Sequence, residues 1–457
     1  MLGYWASSAL LPQGWADDVR IEVGPEGNIL QVEPGAAPDG LERLPGIILP
    51  GMGDVHCHAF QRALAGLAER LGPDEASFWS WRRTMYDFLA KLGPDDVCAI
   101  AAQLYMELLK GGYTAVGEFH YLHHAPDGTP YDEPAIMALA LHEAAAEVGI
   151  GLTLLPSLYM TGGFNGEPLD PAQRRFRLDP DQLFRLLDRL DGTFRDDPAR
   201  QLGIAPHSLR AAPAAALVEA VRQMDGRGAP GPIHIHVAEQ VREVRECLER
   251  YGRRPFERLA DLVEIGSHWC IVHATHLDEG ELGRLAASGA VAGLCPTTEA
   301  NLGDGVFPLA AFLDHDGRFA IGSDSNVATS VAEELRLLEY GQRLTMLRRC
   351  VAASPTEPHC GAFLWRRALA GAALALGRPV GRIAPGFRAD LVAVEARAPS
   401  LLARQGDQIL DALVFAPATA PVLDVMVGGV WRIRHGRHAA EVRIADAYRK
   451  AMRRLLS

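Results

Sequence analysis

Two histidines separated by one residue, His56 and His58, have the types and spacing that most directly suggest chemistry in this chain. They end the segment LPGMGDVHCH, residues 49–58. Side chains alternate along a β-strand, so both imidazoles would lie on the same face. Two imidazoles on one face can form half of a site for zinc or iron. A surface strand can also carry two histidines, so the pair alone leaves both interpretations open.

Four further ionisable residues extend this pattern at other predicted strand ends. His236 lies at the end of the fifth run in HVAE, residues 236–239, with Glu239 three residues later, His273 ends WCIVH, and Asp324 follows FAIGS. In isolation, His236 could be a core histidine and Asp324 a helix N-cap. Core packing alone would not readily place ionisable residues of these types at so many strand ends. The sequence therefore predicts a divalent metal held by three imidazoles and one carboxylate, with a position left for water, which is typical of catalytic sites.

The elements that must position these residues read as alternating strands and helices. Helix-length segments separate eight apolar, β-rich runs, and nearly every run ends in a polar residue. This pattern predicts a (β/α)₈ TIM-type barrel, whose chemistry lies at the carboxyl ends of its strands. A doubly wound open sheet would not carry polar residues at almost all strand ends. The predicted runs begin at Ile47, Thr114, Gly151, Leu202, Ile233, Trp269, Val291 and Phe319.

The two chain ends predict a second unit. Residues 1–48 read as short strands, and residues 381–457 hold further strands followed by a polar-faced helix from about residue 440. We expect these segments to join in one small β-sandwich domain. Residues 49–380 would then form the catalytic barrel.

Composition limits the partners. The chain has 457 residues, 48% of them hydrophobic, and a formal charge of −12, which argues against nucleic acid or an anionic membrane as partner. No apolar run approaches the roughly 20 residues of a membrane span, and no signal peptide is evident at the N-terminus. The seven cysteines are scattered without Cys-x-x-Cys spacing. This pattern is typical of reduced thiols and predicts a cytoplasmic enzyme.

These motifs resemble the amidohydrolase superfamily. They comprise PGMGDVHCH (50–58), HVAE (236–239), VH (272–273), GSD (322–324) and the tail GRIAPGFRADLV (381–392). The resemblance implies a metal-activated water that attacks a trigonal carbon. Binuclear members use a carboxylated lysine, usually at the end of strand four, but here that end reads APH, residues 205–207. A histidine followed three residues later by glutamate instead resembles the mononuclear deaminases, which implies one ion per chain.

The resemblance also implies catalytic roles. The metal would lower the pKa of its bound water to about 7. Asp324 would be both ligand and proton acceptor, Glu239 would pass a proton to the departing nitrogen, and His273 would stabilise the tetrahedral intermediate. The expected ion is zinc, although iron and manganese also suit these ligands. The resemblance further implies a homodimer.

Substrate choice depends on residues above the metal. Arg82 and Arg210 suggest a small anionic substrate with two carboxylates, since arginine binds carboxylates bidentately. This combination resembles the N-formimidoyl-L-glutamate deiminases of histidine degradation, which release ammonia from a linear amidine. In that family the residues matching the following positions contact the substrate: Gln61, Arg82, Tyr121, His207 and Arg210.

Two other functions stay open at this point. A guanine- or adenosine-type heterocycle deaminase on the same scaffold could stack its base on Phe60, Trp79 or Trp81. The arginine pair would have no obvious task with a neutral base. A non-catalytic metal-binding protein is the other alternative, but loss of Glu239 or His273 would be expected there, and both are present.

Overall fold

The computed structural model describes residues 2–69, 78–228, 230–416 and 421–457. Within these ranges, eight parallel strands form the central barrel. Numbered 1 to 8 in chain order, the barrel strands are Met52–Cys57, Tyr113–His120, Gly151–Leu158, Arg200–Leu202 continued by Ala205–Pro206, Ile233–Val237, Trp269–His273, Val291–Leu294 and Arg318–Ile321.

The barrel closes at two seams. Barrel strands 1–4 and 5–8 form two hydrogen-bonded blocks. Ile204 pairs with Ile233 at one seam, and Cys57 pairs with Asp324 at the other. The predicted (β/α)₈ architecture is confirmed, and the carboxyl ends of all eight described strands share one face.

Barrel strand 1 is not the apolar run predicted from the sequence. Ile47–Pro50 pairs antiparallel with Leu391–Val394 and touches Leu2–Leu11 in the terminal sheet, while the barrel begins at Met52. Both segments are fully buried, and only Ile47–Pro50 is apolar throughout, so the local pattern points to the wrong one as the barrel strand. The predicted boundary at residue 48 falls inside Ile47–Pro50, and the division of the chain into domains stays a prediction.

Helices cover the barrel and bring loops over its upper face. Side-chain caps stabilise the first turns of some of them. The Asp179 carboxylate accepts the backbone N–H of Gln182 at 2.8 Å, and the Asp278 carboxylate accepts that of Glu281 at 2.9 Å. The described α-helices are Phe78–Leu89, Pro94–Lys110, Ile136–Val148, Pro180–Phe194, Ala214–Asp225, Val241–Tyr251, Pro255–Leu262, Glu279–Ser288, Pro296–Leu302, Leu309–Asp314, Val331–Met346, Cys360–Leu376, Asp407–Phe415 and Glu441–Leu456. Two 3₁₀-helices are Ala59–Leu64 and Pro171–Phe176.

The C-terminal end of the helix Cys360–Leu376 closes the floor of the barrel. Its last carbonyl oxygens accept hydrogen bonds from barrel residues. The carbonyl oxygen of Ala375 accepts from His234 Nε2 at 2.7 Å, and that of Leu376 accepts from Thr153 Oγ1 at 2.9 Å. His234 therefore supports the floor and does not reach the upper face. Burial lowers its pKa to about 4, which keeps the ring neutral.

The two chain ends meet in one sheet, which has nine strands within the described residues. Their order is Arg437–His438, Val430–Arg434, Val422–Val427, Leu391–Val394, Ile47–Pro50, Leu2–Leu11, Gly14–Val23 and Ile29–Glu33, with Glu42–Arg43 beside Leu2–Leu11. Tyr4 and Trp431 lie on strands four positions apart, about 19 Å in a flat sheet, yet their ring centroids are 6.3 Å apart. The sheet therefore curls around its own core, which gives the packing expected of a sandwich.

The terminal helix Glu441–Leu456 returns to the barrel. It packs against Pro94–Lys110, where Lys110 Nζ lies 2.6 Å from Glu441 Oε1 and Arg454 pairs with Asp96. Among the described residues, no helix combines the length and apolar character that crossing a membrane would need.

Candidate active site

The predicted metal ligands converge at the carboxyl ends of barrel strands 1, 5 and 8. His56 Nε2 and His58 Nε2 each lie 3.5 Å from Asp324 Oδ1, and His236 Nε2 lies 3.1 Å from His56 Nε2. All four side chains are buried. The structure thus brings together every residue that the sequence analysis assigned to the metal.

Hydrogen bonds on the far ring nitrogens define two of the histidine tautomers. His58 Nδ1 lies 2.8 Å from the carbonyl oxygen of Phe119, and His236 Nδ1 lies 2.8 Å from that of His207. Because a carbonyl oxygen only accepts, each Nδ1 carries the proton. Each Nε2 therefore turns a lone pair toward the centre, as a metal ligand must. Burial first, and then the neighbouring histidines, hold the pKa of His56 well below its usual value.

The spacing of these donors fits a divalent ion. Neighbouring ligand atoms at about 2.0–2.2 Å from one ion would stand about 3–3.6 Å apart. The three donor separations of 3.1, 3.5 and 3.5 Å lie in that range. The donors form two groups that share His56, one with His58 and Asp324 and one with His236 and His273. At 3.1 Å, His56 Nε2 and His236 Nε2 must share either a proton or a bound cation.

Backbone strain aims two site residues inward. His273 and Asp324 adopt left-handed backbone with φ of 66° and 46°, a conformation that is uncommon outside glycine and is often kept at functional sites. Gly322 allows the close approach that accompanies this turn, because a Cβ there would lie 2.8 Å from the Cβ of His56. The strand ends bend sharply so that their last side chains face the barrel axis.

The predicted catalytic residues surround the same centre. His273 Nε2 lies 3.8 Å from both Glu239 Oε1 and Asp324 Oδ2, and its Nδ1 lies 3.3 Å from Glu299 Oε1. Burial alone would lower the pKa of His273, but Glu239 and the hydrogen bond to Glu299 raise it to about 10. Burial raises the pKa of Glu239, an effect that His273 and Arg210 oppose. Glu243 braces Glu239 by accepting its backbone N–H at 3.3 Å.

The five predicted substrate contacts line one cavity above the metal ligands. Gln61 Nε2 donates to the Tyr121 hydroxyl at 2.9 Å, whereas Gln61 Oε1 is buried without a partner within the described residues. His207 packs its ring against His236 at 4.9 Å between centroids. Gln61, Tyr121 and His207 therefore offer polar atoms next to the centre.

The two arginines approach the cavity from different sides. Arg210 NH2 lies 3.9 Å from Glu239 Oε2 and 3.9 Å from Glu243 Oε2, so it stands beside the catalytic carboxylate. Arg82 belongs to the helix Phe78–Leu89, which covers the cavity, and its guanidinium contacts the hydroxyls of Tyr86 and Tyr159. Both arginines line the cavity, as the two-carboxylate prediction requires.

Comparison with known proteins identifies the family. The Amidohydrolase family matches residues 47–432. The chain belongs to the amidohydrolase family. Residues 4–46 match the description "Formimidoylglutamate deiminase HutF, N-terminal domain". The resemblance inferred from the motifs is thereby confirmed.

Individual relatives cover all or most of the amidohydrolase chain. It is 48% identical over 458 residues to a formimidoylglutamate deiminase from Pseudomonas aeruginosa, with 100% of both chains covered. A 5-methylthioadenosine/S-adenosylhomocysteine deaminase from Natronomonas pharaonis is 29% identical, covering 88% of this chain and 85% of that protein. The crystal structure of an amidohydrolase from Brucella melitensis superposes with a TM-score of 0.94 at 42% identity, covering 100% of both chains.

The structure of this amidohydrolase also adds residues that the sequence analysis did not assign to the site. Glu299 follows barrel strand 7 and contacts His273, and Glu243 begins the helix after barrel strand 5. Tyr86 and Tyr159 line the cavity beside Arg82. The side chain of Trp79, one of the aromatics named for base stacking, lies outside the described residues, whereas Trp81 lines the cavity.

Proposed function

We propose that this amidohydrolase hydrolyses N-formimidoyl-L-glutamate to N-formyl-L-glutamate and ammonia, a step in histidine degradation. The proposal is carried by one cavity that holds the histidine–aspartate donor group together with two arginines. A linear amidine attached to a dicarboxylate needs both parts. The full-length relative at 48% identity, whose name gives the same activity, supports the proposal.

The four donors would hold one divalent metal ion per chain, with zinc as the expected species. His56, His58, His236 and Asp324 supply three neutral imidazoles and one carboxylate, which suits zinc without excluding iron or manganese. When bound, such an ion supplies a water that ionises near neutral pH.

The surrounding residues would move the protons of the reaction. Asp324 accepts a proton from the attacking water. The Glu239 carboxyl, whose pKa burial raises, delivers a proton to the departing nitrogen so that ammonia leaves. His273 Nε2 lies 3.8 Å from both carboxylates and donates a hydrogen bond to the oxygen added at the amidine carbon. Glu299 keeps the His273 ring in that orientation through Nδ1.

Five side chains would hold the substrate above this group. Arg210 and Arg82 each pair with one carboxylate. Gln61, Tyr121 and His207 contribute single hydrogen bonds near the amidine, an arrangement supported by their common position in the cavity wall.

A heterocycle deaminase is the second candidate. Trp81, Tyr86 and Phe176 give the cavity an aromatic wall on which a base could stack, and the relative at 29% identity is named as a nucleoside-type deaminase. The arginine pair favours the dicarboxylate, because a neutral base offers no carboxylate for either guanidinium to bind.

The test is ammonia release from metal-loaded enzyme with four compounds under one set of conditions. These are N-formimidoyl-L-glutamate, N-formimidoylglycine, guanine and adenosine. We expect rapid turnover of the glutamate compound alone. Turnover of a purine instead would keep the proposed metal chemistry and reject the dicarboxylate site.

We also propose a homodimer located in the cytoplasm. The seven unpaired cysteines support a reducing compartment, and the dimer rests on the family resemblance. Light scattering coupled to size-exclusion chromatography would measure the mass in solution, with about twice the 49.4 kDa chain mass expected.

A further inference from the structure

Two hydroxyl side chains lie beside the proposed catalytic carboxylates in the same cavity. Ser325 directly follows the proposed metal ligand Asp324 after barrel strand 8, and Thr298 lies in the helix Pro296–Leu302 after barrel strand 7. Both side chains line the cavity, and neither has a role in the reaction described above. Ser325 is 3% exposed and Thr298 is fully buried. Their hydrogen bonds therefore form away from bulk water, which restricts where each proton can point.

The backbone around Ser325 is held on both sides. Asp324 and Asn326 both adopt left-handed backbone, with φ of 46° and 61°. The Asn326 side-chain amide donates to the carbonyl oxygens of His58 at 3.0 Å and of Asp324 at 2.8 Å, which ties this turn to the end of barrel strand 1. The backbone N–H of Ser325 donates to Thr298 Oγ1 at 3.2 Å. The turn that carries Asp324 therefore also sets the position of the Ser325 hydroxyl.

Three contacts around Thr298 Oγ1 determine the direction of the Ser325 proton. Thr298 Oγ1 lies 3.2 Å from the carbonyl oxygen of Ser323 and 3.0 Å from Ser325 Oγ. A carbonyl oxygen only accepts, so the hydrogen bond to Ser323 uses the proton of Thr298. Thr298 Oγ1 then accepts both the N–H and the O–H of Ser325. In this arrangement all three contacts are hydrogen bonds.

The Ser325 hydroxyl therefore faces the cavity as an acceptor. Its proton is donated to Thr298, and among the residues that the structure describes none donates to its two lone pairs. The carboxylates of Asp324 and Glu239 line the same cavity, so this part of the wall is rich in acceptors. Such a wall suits a ligand group that carries N–H donors and a positive charge.

We propose that Ser325 Oγ accepts a hydrogen bond from the terminal NH₂ group of the substrate amidine, and that Thr298 is the positioning residue that keeps the Ser325 proton out of the cavity. The inference rests on the proposed function and adds the two residues that recognise the reacting group itself. Amidines are strong bases, so this group is a cation at neutral pH with N–H donors and no acceptor, as a guanidinium is. A hydroxyl held as an acceptor therefore favours the amidine over a group that presents a lone pair at the same place.

The first test is Ser325→Ala, which removes the acceptor and keeps the backbone N–H that donates to Thr298. We expect KM for N-formimidoyl-L-glutamate to rise about tenfold, the scale of one hydrogen bond to a charged group. The inhibition constant of N-formyl-L-glutamate should not change, because the product has lost the terminal NH₂ group. Ser330→Ala, at a serine that does not line the cavity, is the matched control and should change neither value. Equal losses of affinity for the two compounds would overturn the proposal.

Variants of Thr298 test its positioning role. Thr298→Ser keeps the hydroxyl that accepts the Ser325 proton, whereas Thr298→Val keeps the shape of the side chain and removes that hydroxyl. We expect Thr298→Ser to retain a near-normal KM and Thr298→Val to raise KM about as much as Ser325→Ala does. Adding Thr298→Val to Ser325→Ala should raise KM no further, because Thr298 acts on the substrate only through Ser325. Additive losses in the double variant would contradict the positioning role.

A binding measurement distinguishes failure of this inference from failure of the proposed reaction. If the metal-loaded enzyme does not hydrolyse N-formimidoyl-L-glutamate, calorimetric titration with the same compound measures its affinity without turnover. Weaker amidine binding by Ser325→Ala, with equal binding of N-formyl-L-glutamate, would then mean that the reaction is wrong and the acceptor site stands. Equal amidine binding by both proteins would reject the acceptor site alone. No binding of the amidine to the unmodified enzyme would reject both.

Discussion

The backbone N–H of Asp324 donates to the carbonyl oxygen of His56 at 2.8 Å, so the last and first barrel strands are joined by two of the proposed metal ligands themselves. The carbonyl oxygen of Asp324 accepts the N–H of His58 at 3.0 Å and completes the seam. Closing the barrel therefore sets three of the four donors at the same time. At this seam, the hydrogen bonds that close the barrel are made by residues that also supply the proposed metal ligands.

Asp324→Asn tests the side chain without changing this seam. Asparagine tolerates the left-handed backbone of residue 324, so the barrel should close normally. The amide is a poorer ligand and cannot accept the proton of the attacking water. We expect kcat to fall at least about 100-fold, with reduced metal content and an unchanged circular dichroism spectrum. Asp324→Val is the contrasting variant, because a β-branched residue with positive φ should also lower the melting temperature.

Glu239→Gln tests the proton delivery assigned to Glu239. We expect kcat to fall about 10²–10⁴-fold, the usual range for loss of a general acid. Metal content should stay near one ion per chain, since Glu239 is not among the four donors. Glu246→Gln, on the helix Val241–Tyr251, is the matched control and should retain full activity. Near-normal turnover by metal-loaded Glu239→Gln would contradict the role.

Much of this site is readable from the sequence, because strand periodicity is a local property. A His-x-His pair and single ionisable residues after apolar runs are enough to predict that His56, His58, His236, His273 and Asp324 meet, given the barrel. Barrel strand 1 was missed for a non-local reason. Ile47–Pro50 belongs to the terminal sheet because it pairs with Leu391–Val394, more than 300 residues away in the chain.

The missed cavity residues have a related cause. Barrel strand 3 continues to Leu158, beyond the Pro156 at which the apolar run was taken to end. Its true end therefore supplies Tyr159; barrel strand 3, like barrel strand 7, carries no predicted site residue. Tyr86 depends on how the helix Phe78–Leu89 folds over the cavity, which no local pattern specifies. Glu299 looks like an ordinary helix residue until His273 is seen 3.3 Å away.

Arg210→Met tests the carboxylate contact assigned to Arg210. Loss of the guanidinium beside Glu239 should raise KM for N-formimidoyl-L-glutamate at least about tenfold while metal content is retained. Two analogues each lack one carboxylate charge, 4-(formimidoylamino)butanoate the α-carboxylate and N-formimidoyl-L-glutamine the side-chain carboxylate. With one of them, the variant and the unmodified enzyme should have similar KM values. Arg250→Met, on an exposed helical turn, is the control. Equal losses with all three compounds would indicate a role in positioning Glu239 instead.

Metal removal tests the number of ions and their contribution to stability. An ion that binds only the folded chain stabilises it by about 2.7 kcal/mol when free metal is 100 times its dissociation constant. Chelation should therefore lower the melting temperature, and added metal should restore it at one equivalent per chain. Zinc, iron and manganese can then be ranked by restored ammonia release. Restoration that requires two equivalents would contradict the single-ion proposal.

Glu118 provides a prediction for the pH dependence of stability. It is buried on barrel strand 2, where it accepts the N–H of Ala59 at 2.9 Å and the hydroxyl of Tyr105 at 3.1 Å. Burial raises its pKa from 4.5 to about 7. A carboxyl whose pKa is higher in the folded state favours folding at low pH, and that contribution is lost as pH rises from about 4.5 to 7. The full change is about 3 kcal/mol.

Glu118→Gln should remove this dependence. Glutamine can accept from Ala59 and donate to Tyr105, so both hydrogen bonds persist without a titrating group. In chelated protein, the difference in unfolding free energy between variant and unmodified enzyme should shift in favour of the variant as pH rises from 5 to 7.5, and then become constant. Urea denaturation at several pH values measures this difference, with exposed Glu143→Gln as control. A difference that does not vary with pH would show that Glu118 has the same pKa in the folded and unfolded chains.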